Sequence, residues 1–221
     1  MRAVPRLHVV SDDVVLAREA WLDSARAVLE TGGTSLALHL RGPSTDGARL
    51  YELAQQLLPH AERGGATLVV NDRVDVAVAA GVGAVHLGQR SLPPEVVRTI
   101  VGDDCAIGVS CHSATEVDRD SRTADYVFFG NVFGTASHPE RVGLGVPALQ
   151  QAATGPLPVL AIGGVAPGAV GEMLDAGAHG VAVLSGVWDA PDPVVAVSEY
   201  ISALVSAPGL AGPMNDRGPS D

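Results

Sequence analysis

Short apolar runs alternate along the chain with longer amphipathic stretches. Residues 7–11, 36–41, 67–70, 84–87, 106–109, 125–129, 158–162 and 180–185 have the length and the Val, Ile and Leu content of strands buried on both faces. Between them, apolar positions recur at helical spacing. Leu16, Trp21, Ala25 and Leu29 follow a cap at Asp12 or Asp13, and Leu50, Leu53, Leu57 and Leu58 follow the turn residues Pro43, Ser44 and Asp46. Gly32-Gly33 and Gly177 read as helix stops, and 192–205, with Val195, Tyr200 and Leu204 among its apolar positions, reads as a closing helix. Strict alternation of strand and helix demands a parallel sheet. Repeat units of roughly 25 residues predict an α/β fold, a (β/α)8 TIM barrel forming one domain over residues 1–206, rather than an open doubly wound sheet. The Pro/Gly-rich, polar stretch 207–221 predicts a disordered C-terminal tail.

Composition then narrows the function. With 221 residues, 47% of them hydrophobic and 18% charged, the chain can bury one large core, and its 26 glycines suit the many loops of a barrel. A net charge of −11 argues against nucleic acid or a membrane surface as partner, because both require basic groups. The N-terminus lacks a signal-peptide pattern and no run of about 20 apolar residues is present, so a cytoplasmic location is expected. Cys105 and Cys111 fall on one predicted strand, too far apart at about 3.3 Å per residue for a disulfide, and are expected to be buried thiols. No clustered Cys/His spacing suggests zinc.

In a barrel the chemistry gathers at the C-terminal ends of the strands. There the chain places His39 and Arg41, Asn71 and Asp72, His86 and Gln89, Ser110 and His112, Asn131 and Thr135, Gly163 and Gly164, and Ser185 and Gly186. Arg41 suits two-point recognition of a carboxylate or oxyanion, or a salt bridge at the rim. Asp72 reads equally as a magnesium ligand or as the cap of the next helix. Ser110 and His112 lie two positions apart, hence on one face of a continuing strand, which makes His112 a candidate acid/base; a capping or wall histidine is the alternative. His86, within an apolar run, reads as a hydrogen-bonded core histidine, and His138 as a loop residue able to reach a phosphate. Gly163-Gly164 after the seventh strand and Ser185-Gly186 after the eighth stand where such barrels bind phosphate.

The segments VVNDRVDVAVAAGVGAVHLGQ, IGVSCHS, ADYVFFGNVFGT and VLAIGGV with GVAVLSGV, in this order, resemble the thiamine phosphate synthase and thiazole tautomerase superfamily over roughly residues 7–204. The resemblance implies a barrel and a phosphorylated thiazole held by Gly164 and Ser185. In the synthase branch, an aminopyrimidine pyrophosphate is joined to a thiazole phosphate while magnesium carries the departing pyrophosphate. Its strand-two motif ends in a lysine where this chain runs Arg41-Gly42-Pro43, and its strand-four motif continues into a metal carboxylate where this chain has Gln89-Arg90-Ser91. A Thr-x-Thr-Lys segment is likewise replaced by Thr135-Ala136-Ser137-His138.

These departures favour the tautomerase branch, an isomerase that aromatises a carboxythiazole phosphate by proton transfer, although Asn131 stands where that branch has its histidine. The expectation is an isomerase without cofactor. Its catalytic residues would be His112 and Asn131, and its substrate contacts His39, Arg41, Asn71, Ser110, Thr135 and His138. Gly163, Gly164, Ser185 and Gly186 would hold the phosphate. One alternative is a diverged synthase using Mg2+ on Asp72, and another is a non-catalytic thiazole-phosphate binder. The expected partner is the small phosphorylated thiazole, and a homo-oligomer is compatible with the sequence.

Overall fold

Eight strands pair in parallel, each with its neighbours in sequence, and the eighth returns to the first. They are β1 (Leu7–Val10), β2 (Leu36–Leu40), β3 (Thr67–Asn71), β4 (Ala84–Leu87), β5 (Ala106–Cys111), β6 (Tyr126–Gly130), β7 (Val159–Ile162) and β8 (Gly180–Val183). The computed structural model describes residues 3–134 and 142–206. The predicted tail over 207–221 and the loop residues Thr135 and His138 lie outside them. The TIM barrel expected from the alternation is therefore the fold, with strand ends within two residues of the apolar runs.

Alternate side chains on each strand face the helices or the barrel axis. Leu7, Val9, Leu38, Val70, Ile107, Phe129 and Val181 pack in the large layer between sheet and helices. The interior is filled differently on two sides of the barrel: Ala37, Val69 and Ala84 of β2, β3 and β4 form one small cluster, and Val10, Tyr126, Phe128, Leu160 and Ala182 of β1, β6, β7 and β8 another. Three histidines complete this interior. Phe128 has the rings of His86, His39 and His8 at centroid distances of 4.1, 4.9 and 5.2 Å. Gly108 of β5 leaves room for the Tyr126 ring, which occupies the space a side chain there would need.

Several local expectations change. The first helix is two helices, Asp13–Leu16, capped by the Asp12 carboxylate, and Trp21–Gly32. The break between them places Arg18, which donates to the Trp188 carbonyl and pairs with Asp189 across the barrel seam. Asp13 instead accepts from the backbone N–H of Ser44 and the Thr45 hydroxyl. The closing helix is Pro193–Ser206, and although Tyr200 and Leu204 are buried on it, Val195 is 53% exposed. Cys105 and Cys111 are both buried, as expected. At the seam, Arg6 donates to the carbonyls of His179 (2.9 Å) and Leu204 (2.6 Å), tying the entry to β1 to the chain's last helix.

Burial drives the basicity of the interior histidines down. His39 falls to about 3, and His8 and His86 lie well below their usual value. Repulsion from His39 adds to this at both His8 and His86, and at His86 the Arg41 guanidinium adds more. Between about pH 6.5 and 5 the unfolded chain takes up protons at these positions and the folded chain does not. Unfolding free energy must then fall on acidification, by up to about 1.4 kcal/mol per pH unit for each histidine. Denaturant midpoints measured across that interval are expected to drop steadily, with a shallower slope in His86→Phe. A flat profile would mean that these rings are protonated inside the fold.

Candidate active site

The mouth of the barrel is assembled strand by strand. Beyond β1, Ser11 is 0% exposed, and its hydroxyl lies 3.0 Å from the carbonyls of both His39 and Arg41 while accepting the Arg41 N–H at 3.0 Å. Ser11 thus sets where β2 ends and where Arg41 leaves the sheet. In the sequence it showed only as the polar end of an apolar run. The half-buried Arg41 guanidinium takes part in none of the ion pairs among the described residues, so the rim salt bridge is not found. Its charge is felt instead at His86 on β4.

Asn71 ends β3 nearly buried, and its amide lies 2.9 Å from His39 Nδ1. His39 was expected to touch substrate. It is wholly buried, with its other ring nitrogen 2.7 Å from His8, and so lies beneath Asn71 rather than at the mouth. Asp72 has φ +61° and does not cap the helix Val74–Ala80, whose N-terminus has no side-chain cap. Its carboxylate turns toward the β4 loop, where Oδ1 accepts the Gly88 N–H at 2.9 Å and the Ser91 hydroxyl. Gln89 is exposed.

On β5, Ser110 points inward and meets His86 Nε2 at 2.9 Å, so His86 is the hydrogen-bonded core histidine expected of it. The strand stops at Cys111. His112 follows, partly buried, with its backbone N–H on the Glu116 carboxylate (2.6 Å) and its Nδ1 buried without a partner among the described residues. Beyond β6, Asn131 also has a buried side-chain nitrogen, Nδ2, without a partner. Its backbone is fixed by the Leu144 N–H at 2.8 Å, and the next two residues continue the pairing onto Ile162 and Gly163.

Gly163 and Gly164 have φ of +102° and +69°. A side chain on Gly163 would run into Asn131, 2.6 Å from its Cβ, and one on Gly164 into the Gly134 carbonyl at 2.8 Å. Both glycines therefore serve close packing of the β6 and β7 loops as well as access. After β8, Ser185 opens the short helix Ser185–Trp188, whose first N–H groups have no intrahelical partner. Two successive glycines in the left-handed region after β7, and a helix start with a hydroxyl after β8, carry N–H groups of the kind that can receive an anion. The site residues meet in pairs: His39 with Asn71, His86 with Ser110, Asp72 with Ser91, and Asn131 with Gly163. Among the described residues no group of three or more His, Cys, Asp or Glu could hold a metal ion, and Asp72 is the carboxylate fixed at the rim.

A closed eight-strand parallel barrel with polar groups and paired glycines at its C-terminal end defines a TIM-barrel protein with a mouth of the enzymatic kind. The chain belongs to the thiamine monophosphate synthase family, whose model matches residues 7–187. It is 37% identical over 205 residues to a thiamine-phosphate synthase of Roseiflexus sp. (strain RS-1), covering 91% of this chain and 86% of that protein. It is 39% identical over 188 residues to one of Laribacter hongkongensis, covering 83% and 88%. A thiamine phosphate pyrophosphorylase structure from Pyrococcus furiosus superposes with a TM-score of 0.80 at 30% identity, covering 92% of this chain and 97% of the other. A place in thiamine biosynthesis follows. The isomerase expectation finds no support among these relatives, and the synthase alternative fits them better. No helix among the described residues is long and apolar enough to cross a membrane.

Gly186 has a structural duty as well. A Cβ there would collide with the Tyr200 hydroxyl, which donates to the Val165 carbonyl at 2.9 Å and so anchors the closing helix to the β7 loop. Gly186→Ala is expected to cost about 1–3 kcal/mol by overpacking, and Tyr200→Phe about 1 kcal/mol for the lost hydrogen bond. Removing the hydroxyl relieves the collision, so denaturation of the double variant should show clearly less than the sum. Additive losses would place the conflict elsewhere.

Proposed function

We propose that this chain carries out the synthase reaction, joining an aminopyrimidine pyrophosphate to a phosphorylated thiazole with release of pyrophosphate. The observation that carries the reading is its likeness to thiamine-phosphate synthases along nearly the whole barrel. Asp72, turned to the rim and held there by Gly88 and Ser91, supports it.

The donor set fits Mg2+, which needs only one or two carboxylates when phosphate oxygens and waters complete its shell. Asp72 would hold the ion together with the pyrophosphate. When bound, the metal supplies neutralisation of the charge that builds up on the leaving group. The chain's own residues do the rest. Gly88 and Ser91 fix the Asp72 carboxylate, and Arg41 brings a guanidinium able to bind phosphate oxygens in two-point fashion. Gly163, Gly164, Ser185 and Gly186 cradle the thiazole phosphate with N–H groups.

Two lysines and one metal carboxylate that the synthase motifs carry are missing here, so the departures are of both signs. The lost carboxylate offsets one of the lost lysines, so the departures together change the local charge less than the loss of both lysines alone would.

Coupling measured with both substrates should require added Mg2+ and stop on chelation. Asp72→Ala should lower kcat/KM by about 100-fold or more. Coupling that survives chelation, or an Asp72→Ala variant as active as the parent, would overturn the proposal. Growth of aromatic thiazole absorbance from the carboxythiazole tautomer, without coupling, would restore the isomerase.

A further inference from the structure

We infer that His8 and His39 are positioning residues that fix which way the Asn71 carboxamide points, turning its NH2 group down onto His39 and its oxygen toward the barrel mouth. A single file of polar contacts runs up the barrel axis from floor to mouth. The Pro5 carbonyl, just before β1, lies 3.0 Å from His8 Nε2; His8 Nδ1 lies 2.7 Å from His39 Nε2; His39 Nδ1 lies 2.9 Å from the end of the Asn71 carboxamide assigned as Oδ1, an assignment the proton count reverses. The two ends of a carboxamide have the same size, so the count of protons decides which end faces the ring.

Each of these three contacts needs one proton, and each neutral imidazole brings one. A carbonyl only accepts, so the proton on the lowest contact must come from His8, which is then protonated at Nε2. Its bare Nδ1 can only accept, and the middle proton is therefore His39 Nε2–H. The bare Nδ1 of His39 must accept in turn, and the remaining proton is supplied by the Asn71 NH2. The opposite orientation of Asn71 leaves His8 with one proton for two contacts. Two lone pairs would then face each other within 3.0 Å in a buried site, or the pair would have to become charged.

The surroundings oppose a charge. His8 and His39 are buried among Phe128, Tyr126 and a third imidazole, His86, and none of the rings packed on them is anionic. Desolvation keeps both rings neutral at physiological pH.

Asn71 thereby presents an acceptor to the mouth, and the floor of the barrel dictates that polarity through two rings. A substrate that offers an N–H donor is favoured over one that offers only acceptors. The identity of that donor, the amino group of the aminopyrimidine, rests on the synthase reading; the orientation of Asn71 does not.

The first test needs no substrate. Long-range nitrogen–proton NMR of the nitrogen-15-labelled protein near pH 7.5, with the two rings assigned from His8→Phe and His39→Phe, reports where each imidazole carries its proton. Both rings neutral and protonated at Nε2 is the expected result. His39 protonated at Nδ1, or either ring protonated at both nitrogens, would overturn the inference whatever reaction the protein catalyses. The second test is kinetic. His8→Phe keeps a ring of similar size but frees His39 to hold its proton on either nitrogen. KM for the aminopyrimidine pyrophosphate should rise about tenfold, the loss of one oriented hydrogen bond, with kcat and the KM for the thiazole phosphate nearly unchanged. A folded His8→Phe protein with both KM values unaltered would assign the pair to packing alone. If that variant does not fold, the ring assignments come from His39→Phe and the native spectrum decides.

Discussion

The neutrality of three imidazoles packed on one phenyl ring is the condition under which this barrel can close. Parallel barrels commonly fill their axis with layers of branched aliphatic side chains. Here Phe128 is ringed by His8, His39 and His86, with Tyr126 against two of them. Such a core gains the contact area of aromatic packing at a cost for every covered polar group that is charged or left without a hydrogen bond. The contacts to Pro5 on one side and to Asn71 and Ser110 on the other lead out of the core, while among the described residues His86 Nδ1 and the Tyr126 hydroxyl are buried without a partner. Interior packing and the mouth are thus one connected polar system.

The strands were legible because a strand covered on both faces leaves an unbroken apolar run, and the glycines that follow it mark where it must stop. Depth along the barrel axis was not. Whether a residue near a strand end looks into the mouth or lies beneath it depends on the stagger between neighbouring strands. The pairing of Val10 with His39 and of His39 with Val69 sinks that histidine one layer below Asn71, which sits level with His86. Nothing local to the run Leu36–Leu40 states this. The split of the first helix, the outward turn of Val195 and the reach of Asp72 to Ser91 escaped notice for the same reason, because each is settled by partners far away in the chain.

Function was legible to the level of the family and no further. Few charged residues stand at the mouth, so the change of two lysines and one carboxylate looks decisive in local motifs. The rest of the barrel, which sets where substrates sit, is shared with synthases over most of its length. Local substitutions at a charged site are judged well only with their neighbours, since opposite changes offset one another. Ser91 shows the point: in the segment Gln89-Arg90-Ser91, where the synthase motif carries a carboxylate, its hydroxyl donates to the Asp72 carboxylate and steadies it.

The clasp of Arg6 on the last helix has a bearing on how the protein is made. β1 leaves the ribosome long before its neighbours across the seam, β8 and the carbonyl of Leu204. An open sheet with an unpaired edge strand must therefore persist through most of synthesis, and such an edge invites pairing with other chains. Closure of the barrel therefore waits until β8 and the helix Pro193–Ser206 have been made.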